Sequence, residues 1–498
     1  MRILHVGFGF RPWIVNGLII YSADLMAAQA RAGHDVGYFF AGRQLPVIRR
    51  PLLHRFEQEG VSMFEWVNST LVVGRHRGSP DPERDLSDPP TEAAFRRVLA
   101  RFAPAVVHVH DLGGLPSSLL EIPSRQGVAT VMTMHDYVSL CPTVKLFDAE
   151  QEICARLHPG PMCVVCCAGA PLDNRQELEH TLRYERTRIR LAVPHLDAAL
   201  RVPVLERLST GAMRLGAALA RGTSRAPVPS PACHPQPSRP NAQPVRPNAT
   251  AAAYQRRRDL NRERLEHVDA LIMFSRRAAE ICRHLGVSDA RMRVMAMNPA
   301  HVEHLRPKRR GTPAEPVRFG VLNACSSTEK GADLVVEALH QLSLRGLDDR
   351  YRLSVRGWVS PHVRPALEAH PAVAIDGSYR IEELDQLLED VDVGLVPSVW
   401  EEVYGFAGLE FLAKGIPVIG NARGAIPEYV RPGATGWLNR SASAAELADL
   451  MAAAIEDPAE VQRLGRGAVA LRGELIRPLA RQLEDLSELY DEVLSRRR

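Results

Sequence analysis

Residues 393–428 read VGLVPSVWEEVYGFAGLEFLAKGIPVIGNARGAIPE. The apolar run 391–396 forms a strand that stops at Pro397, and Gly405 opens a helix after a short loop. The run 417–419 is a second apolar strand. Strand, loop, helix and strand, with strands apolar on both faces, is the unit of a parallel sheet covered by helices. Such sheets bind ligands at the carboxyl ends of their strands, where the loop with Ser398, Trp400, Glu401 and Glu402 falls. The amides of Tyr404, Gly405, Phe406 and Gly408 make a helix N-terminus that favours a phosphate, and Gly405 allows close backbone approach. Glu410 sits two turns into the helix beside Leu409, Phe411 and Leu412. A carboxylate in that company needs hydrogen-bond partners, which ribose hydroxyls supply.

The same alternation extends outward. Upstream lie strands at 317–322, 351–355 and 372–375, with a helix at 332–344. The pattern restarts after a polar, basic stretch at 308–315, which marks a domain boundary. The first half begins with a strand at 2–6, a glycine-bearing loop at 7–17, a helix at 21–32 ending at Gly33, and a strand at 34–40. Buried strands follow at 105–109, 129–134 and 270–274. The fold class is α/β with two Rossmann-like domains, 1–307 and 308–479, and a terminal helix in 480–498 that packs on either one. Between the halves, 226–248 is dense in Pro, Ser and Asn and reads as a disordered excursion. The apolar, arginine-bearing stretch 191–220 before it reads as a helical insertion, with a membrane-surface helix as the alternative.

Composition narrows the functional classes. Over 498 residues a net charge of +4 with 24% charged residues gives little support to a nucleic-acid role, which rests on the run Arg256-Arg257-Arg258 and a cysteine loop. Neither a secretory signal nor a spanning segment is legible, so the expected place is the cytosol or the inner membrane face.

The spacing of Glu402 and Glu410, with seven residues between, is the E-x7-E pattern of retaining GT-B glycosyltransferases. The segment closely resembles glycosyltransferase family 4. That resemblance implies two facing Rossmann-like domains, a UDP- or GDP-linked sugar donor in the second, and an acceptor (a glycan, a lipid-linked molecule or a small molecule) in the first. It implies that Glu402 touches the donor sugar and Glu410 the ribose. Tyr404, Gly405 and Phe406 join the donor site. Glu329-Lys330-Gly331 resembles the motif whose lysine contacts the donor diphosphate. Tyr379 and Arg380, in the loop after a strand, match the base-contacting loop. Gly17, after Asn16, stands where the family has a Gly-Gly turn that approaches the diphosphate. Thr133-Met134-His135-Asp136-Tyr137 resembles the family's HD motif and places His135 near the transferred sugar; His110 ends the preceding strand and faces the same cleft. One departure stands out. The arginine that many members carry six positions before the lysine is Ala324 here, and Arg356 or Arg423 are the candidates to replace it. No cofactor is required for such chemistry. Asp390-Val391-Asp392 has D-x-D spacing but reads as a helix–strand junction.

Cys141, Cys154, Cys163 and Cys166 have the spacing C-x12-C-x8-C-x2-C. Four thiols in a short loop suit a structural zinc ion, with His158 as a substitute ligand. Unliganded thiols and a redox or iron–sulfur role are the alternatives. Cys233, Cys282 and Cys325 are isolated. The competing functions are an epimerase or hydrolase on the same fold and a non-catalytic nucleotide-sugar binder.

Overall fold

The computed structural model describes residues 1–46, 50–74, 77–192, 249–308 and 316–497. The stretch 226–248 and nearly all of 191–220 lie outside the described residues, as does most of 308–315.

Apolar runs near the start form β1 (Arg2–Phe8), β2 (Asp35–Ala41), β5 (Val106–Val109), β6 (Ala129–Met134) and β7 (Ala270–Met273). With β3 (Leu52–Gln58), β4 (Val61–Val67) and β8 (Met292–Val294) they make an eight-stranded sheet in the order β3-β4-β2-β1-β5-β6-β7-β8. All pairings are parallel except β3–β4, a hairpin turned by Glu59 and Gly60, both at positive φ. The sequence reading did not anticipate this hairpin, β8 or the strand Gly436–Asn439.

The second sheet is parallel throughout: β11-β10-β9-β12-β13-β14. Its strands are β9 (Val317–Leu322), β10 (Tyr351–Arg356), β11 (Val373–Gly377), β12 (Val393–Val396), β13 (Val418–Asn421) and β14 (Gly436–Asn439). Five helices place the site: α1 (Gly17–Arg31), α2 (Ala251–Glu266), α3 (Ala332–Leu344), α4 (Phe406–Ala413) and α5 (Leu479–Ser495). The helix expected at 21–32 begins four residues earlier because Asn16 caps it. The Asn16 side chain accepts from the Ile19 amide at 3.0 Å, and its φ of −152° is extended. Capping gives this asparagine a structural role of its own.

The arginine run is not a basic surface. In α2, Arg257 is 1% exposed and donates to Asp85 Oδ2 and the Val138 carbonyl, each at 2.7 Å. Arg258 is also buried and donates to the Leu140 carbonyl. Two of the three guanidinium groups therefore hold loops of the first domain together. The Asp-Val-Asp motif is a junction: Asp392 binds Arg318 Nε (3.0 Å) and Lys308 Nζ (3.1 Å), and Asp390 binds Arg318 Nη1 (2.9 Å).

The terminal helix α5 returns to the first domain. Leu486, Leu489, Tyr490 and Val493 are buried on its inner face, and Arg497 pairs with Asp269 at 2.8 Å. Leu486 is wholly buried. Leu486→Ala is expected to destabilise the first domain by about 2–5 kcal/mol, read as an earlier urea midpoint for fluorescence from Trp13 and Trp66.

Candidate active site

A cavity of about 880 Å³ lies where the carboxyl ends of the two sheets face each other. Gly17, His135 and Lys145 line it from the first domain. Lys330, Tyr379, Glu402, Tyr404, Gly405, Phe406 and Glu410 line it from the second. The two sides approach closely: a Cβ on Gly17 would stand 3.0 Å from the Phe406 ring.

Glu402 follows β12 in a loop that turns back over its own carboxylate. Its Oε1 accepts from Ser398 Oγ at 2.8 Å, from Trp400 Nε1 at 3.2 Å and from Lys330 Nζ. Burial pushes this carboxyl up. The Lys330 charge and hydrogen bond, with those of Ser398 and Trp400, outweigh it and hold Glu402 below the usual glutamate range. Lys330 also stands 5.3 Å from the centre of the Trp400 ring. Gly405, at φ +82°, is where the loop enters α4, and a Cβ there would lie 2.3 Å from Glu402 Oε2. Only glycine fits both constraints.

Glu410 lies further along α4 and is 8% exposed. Its Oε1 lies 2.8 Å from Nε2 of His301, which comes from the end of the first domain. Tyr379 stands nearby, its phenol pushed up by burial and by the Glu410 charge, and its oxygen accepts from Asn323 Nδ2 at 3.3 Å. Arg380 does not join the cavity lining. It is exposed and paired with Glu383 at 2.8 Å, closing the first turn of the following helix.

His135 packs edge-on against Phe274, with ring centres 4.9 Å apart, and burial lowers its pKa to about 3. Its Nε2 lies 3.2 Å from Nδ1 of His110. His110 itself is buried behind His135 and does not line the cavity.

Neither candidate to replace the missing arginine reaches the cavity. Arg356 is drawn to Asp376 at 3.4 Å, and Arg423 donates to its neighbouring carbonyl of Ala422. The second lysine in the cavity is instead Lys145, which the sequence reading missed. It comes from the loop after the HD motif and pairs with Glu329, the residue beside Lys330. No spacing rule joins residues 145 and 329, so only the fold brings them together. His301 escaped notice for the same reason.

Further ties hold the two halves in register. Arg277 binds Glu401 at 2.6 and 3.0 Å, the Arg276 and Arg277 amides donate to Glu428 at 3.1 and 2.9 Å, and Ser275 Oγ donates to the Val403 carbonyl at 2.7 Å.

Cys141, Cys154 and Cys163 are buried and Cys166 partly so; Cys163 and Cys166 lie on a short helix, Gly160–Cys166. Cys141 Sγ lies 3.2 Å from Thr143 Oγ1. The donors are of the right type for zinc, but they are not closed into one shell. Among the described residues, the group of three ligand atoms within 4.8 Å of one another is that of His5, His108 and His110.

Two α/β domains with largely parallel sheets facing across a cleft are the architecture of the GT-B fold. Residues 16–160 match the family described as "Glycosyl transferase 4-like domain", and residues 315–469 match "Glycosyl transferases group 1". The chain therefore carries both glycosyltransferase domains.

Among solved structures, a sucrose-phosphate synthase from Thermosynechococcus elongatus superposes with a TM-score of 0.60 at 16% identity, covering 99% of this chain and 100% of that one. Anabaena Alr3699/HepE, in complex with UDP, superposes at 0.54 and 12% identity, covering 99% and 100%. A glycosyltransferase assigned to colanic acid biosynthesis in Salmonella typhimurium is 30% identical over 167 residues, 31% of this chain and 40% of that one. A D-inositol 3-phosphate glycosyltransferase of Corynebacterium aurimucosum is 30% identical over 149 residues, 28% of this chain and 35% of that one. The chain thus matches two fifths or less of the length of these two relatives.

The Glu402–Lys330 pair generates a pH-dependent prediction. The folded-state pKa of Glu402 is depressed, so its stabilisation is full above the ordinary glutamate pKa and is lost as pH falls through the folded value. Lys330→Met is expected to cost about 1–3 kcal/mol at pH 7, reduced from a fully buried pair because Lys330 is partly exposed. The difference from wild type should shrink on acidification, as urea unfolding at pH 7 and pH 4 would measure.

Proposed function

We propose that the protein transfers a sugar from a UDP- or GDP-linked donor to a hydroxyl-bearing acceptor, retaining the anomeric configuration. The observation that carries this reading is the clustering of Lys330, Glu402, Glu410 and the amino end of α4 at one edge of an interdomain cleft. Retention rests on the resemblance to family 4. The nucleotide is suggested by the UDP bound in the Anabaena neighbour.

In this reading the diphosphate lies against the α4 amides. Lys330 neutralises the charge that grows on it as the bond to the anomeric carbon breaks. Donor binding draws Lys330 from Glu402, freeing that carboxylate to accept from sugar hydroxyls. Glu410 takes the ribose hydroxyls, with His301 holding its other side. Tyr379 flanks the base. Lys145 supplies the second positive charge that Ala324 leaves unfilled. His135 faces the sugar from the acceptor side, and the cleft positions the two reactants together. The acceptor is a glycan end, a lipid-linked molecule or a small molecule. The protein works in the cytosol or at the inner membrane face; no helix among the described residues is long and apolar enough to cross a membrane.

The test is thermal stabilisation by a panel of UDP- and GDP-linked hexoses and N-acetylhexosamines. A donor at about 100 times its Kd stabilises by roughly 2.7 kcal/mol. One donor should raise Tm, Glu410→Ala should abolish the shift, and Glu402→Gln should keep nucleotide binding while lowering turnover about 100-fold or more. No shift with any donor would overturn the reading, and binding without turnover in wild type would leave a nucleotide-sugar binder.

We also propose structural zinc on Cys141, Cys154, Cys163 and Cys166, supported by donor type and by their falling together between residues 141 and 166. Binding requires the sulfurs to draw together. One zinc per purified chain, lost with a fall in Tm on chelation or in Cys163→Ser, is expected; metal-free protein with unchanged melting would exclude it.

A further inference from the structure

Behind His135 a line of hydrogen bonds runs into the first domain. Nε2 of His135 lies 3.2 Å from Nδ1 of His110, and Nε2 of His110 lies 2.8 Å from Nδ1 of His5. Nε2 of His5 lies 2.7 Å from Oε1 of Gln29 on α1. The amide nitrogen of Gln29 donates to Tyr490 of α5 at 3.4 Å. The Tyr490 hydroxyl is in turn 2.6 Å from Nδ1 of His108.

These rings are inside the protein: His5 and His108 are 0% exposed and His110 is 2%. Burial holds them neutral, with His5 lowered to about 4 and His108 and His110 lowered well below the ordinary histidine value. A neutral imidazole has one N–H and one lone pair, so each link in the line dictates the next. The Gln29 oxygen can only accept. His5 therefore donates from Nε2 and accepts at Nδ1. His110 must then donate from Nε2 and accept at Nδ1, and His135 must donate from Nε2. The other half of the Gln29 amide donates to Tyr490, whose hydroxyl lies against Nδ1 of His108. The cluster does not read as a metal site, because nitrogens 2.8 Å apart share a proton and the His5 and His110 nitrogens are already paired.

We propose that Gln29 is a positioning residue that fixes His135 as the Nε2–H tautomer, so that Nδ1, the nitrogen left over, offers a lone pair to the cleft and takes a hydroxyl of the sugar or acceptor, not an anionic oxygen. The hydroxyl part of this inference rests on the glycosyltransferase reading; the tautomer part does not. A phosphate oxygen set against that lone pair is repelled, so the diphosphate is kept on the lysine side of the cleft and the hydroxyl-rich part of the donor on the histidine side.

The test is NMR of the full chain labelled with 15N at histidine, with the His135 signals identified by their loss in His135→Asn. The wild-type spectrum should show His135 protonated at Nε2 and bare at Nδ1, unchanged from pH 6 to pH 8. Gln29→Glu still accepts from His5 and should preserve that state. Gln29→Leu should yield a mixture of tautomers, with free UDP or GDP bound as tightly as before and kcat/KM for sugar transfer about tenfold lower, the worth of one hydrogen bond. A His135 protonated at Nδ1 in wild type, or a tautomer untouched in folded Gln29→Leu, would overturn the inference. If Gln29→Leu does not fold, wild type and Gln29→Glu decide it. The spectrum needs no substrate, so a protein that transfers no sugar yet shows the expected tautomer would fail the functional reading alone.

Discussion

An ionised carboxylate buried at the end of a parallel strand is the constraint around which the second domain is arranged. Glu402 is 4% exposed, and its charge is tolerable only because a lysine, a serine and an indole all donate to one of its oxygens. Each donor fixes a piece of backbone. Ser398 and Trp400 fold the loop after β12 back on itself, and Lys330 ties in the turn before α3. Gly405 must be a glycine because the carboxylate occupies the space a side chain would need. The geometry that presents the α4 amides to the cleft is thus largely the geometry of solvating one charge.

The first domain solves a related problem without charge. Its polar centre is a set of buried, neutral histidines whose hydrogen-bonding capacity is met by Gln29, Tyr490 and Thr133. The cleft between them takes both kinds of group: Lys330, Glu402 and Glu410 face it from the second domain, and His135 and Lys145 from the first.

Much of this was legible in the sequence. The parallel strands announced themselves as short runs apolar on both faces, and Glu402, Glu410, Lys330 and His135, which line the cleft, were singled out because local motifs carry them. The β3–β4 hairpin was missed because its outer strand is half exposed at the sheet edge, where residues such as His54, Arg55 and Glu57 break any apolar run. Lys145, His301 and Gln29 were missed for another reason. Lys145 meets a partner 184 positions away, and Gln29 meets Tyr490 at a separation of 461. Nothing local marks such residues. Arg356 and Arg423 were plausible by chemistry and proximity in sequence, but Asp376 and a neighbouring carbonyl hold them elsewhere.

The return of α5 to the first domain bears on how the protein is made. Tyr490 and Val493 complete a core that starts at β1, so the amino-terminal half cannot reach its final packing while the ribosome is still translating the other half. Domains usually fold in order of emergence. Here the leading one must wait, partly open along α1, until α5 has emerged. A bulky label on the exposed face of α5 would sit beside that late-closing seam, far in sequence from the residues it would disturb.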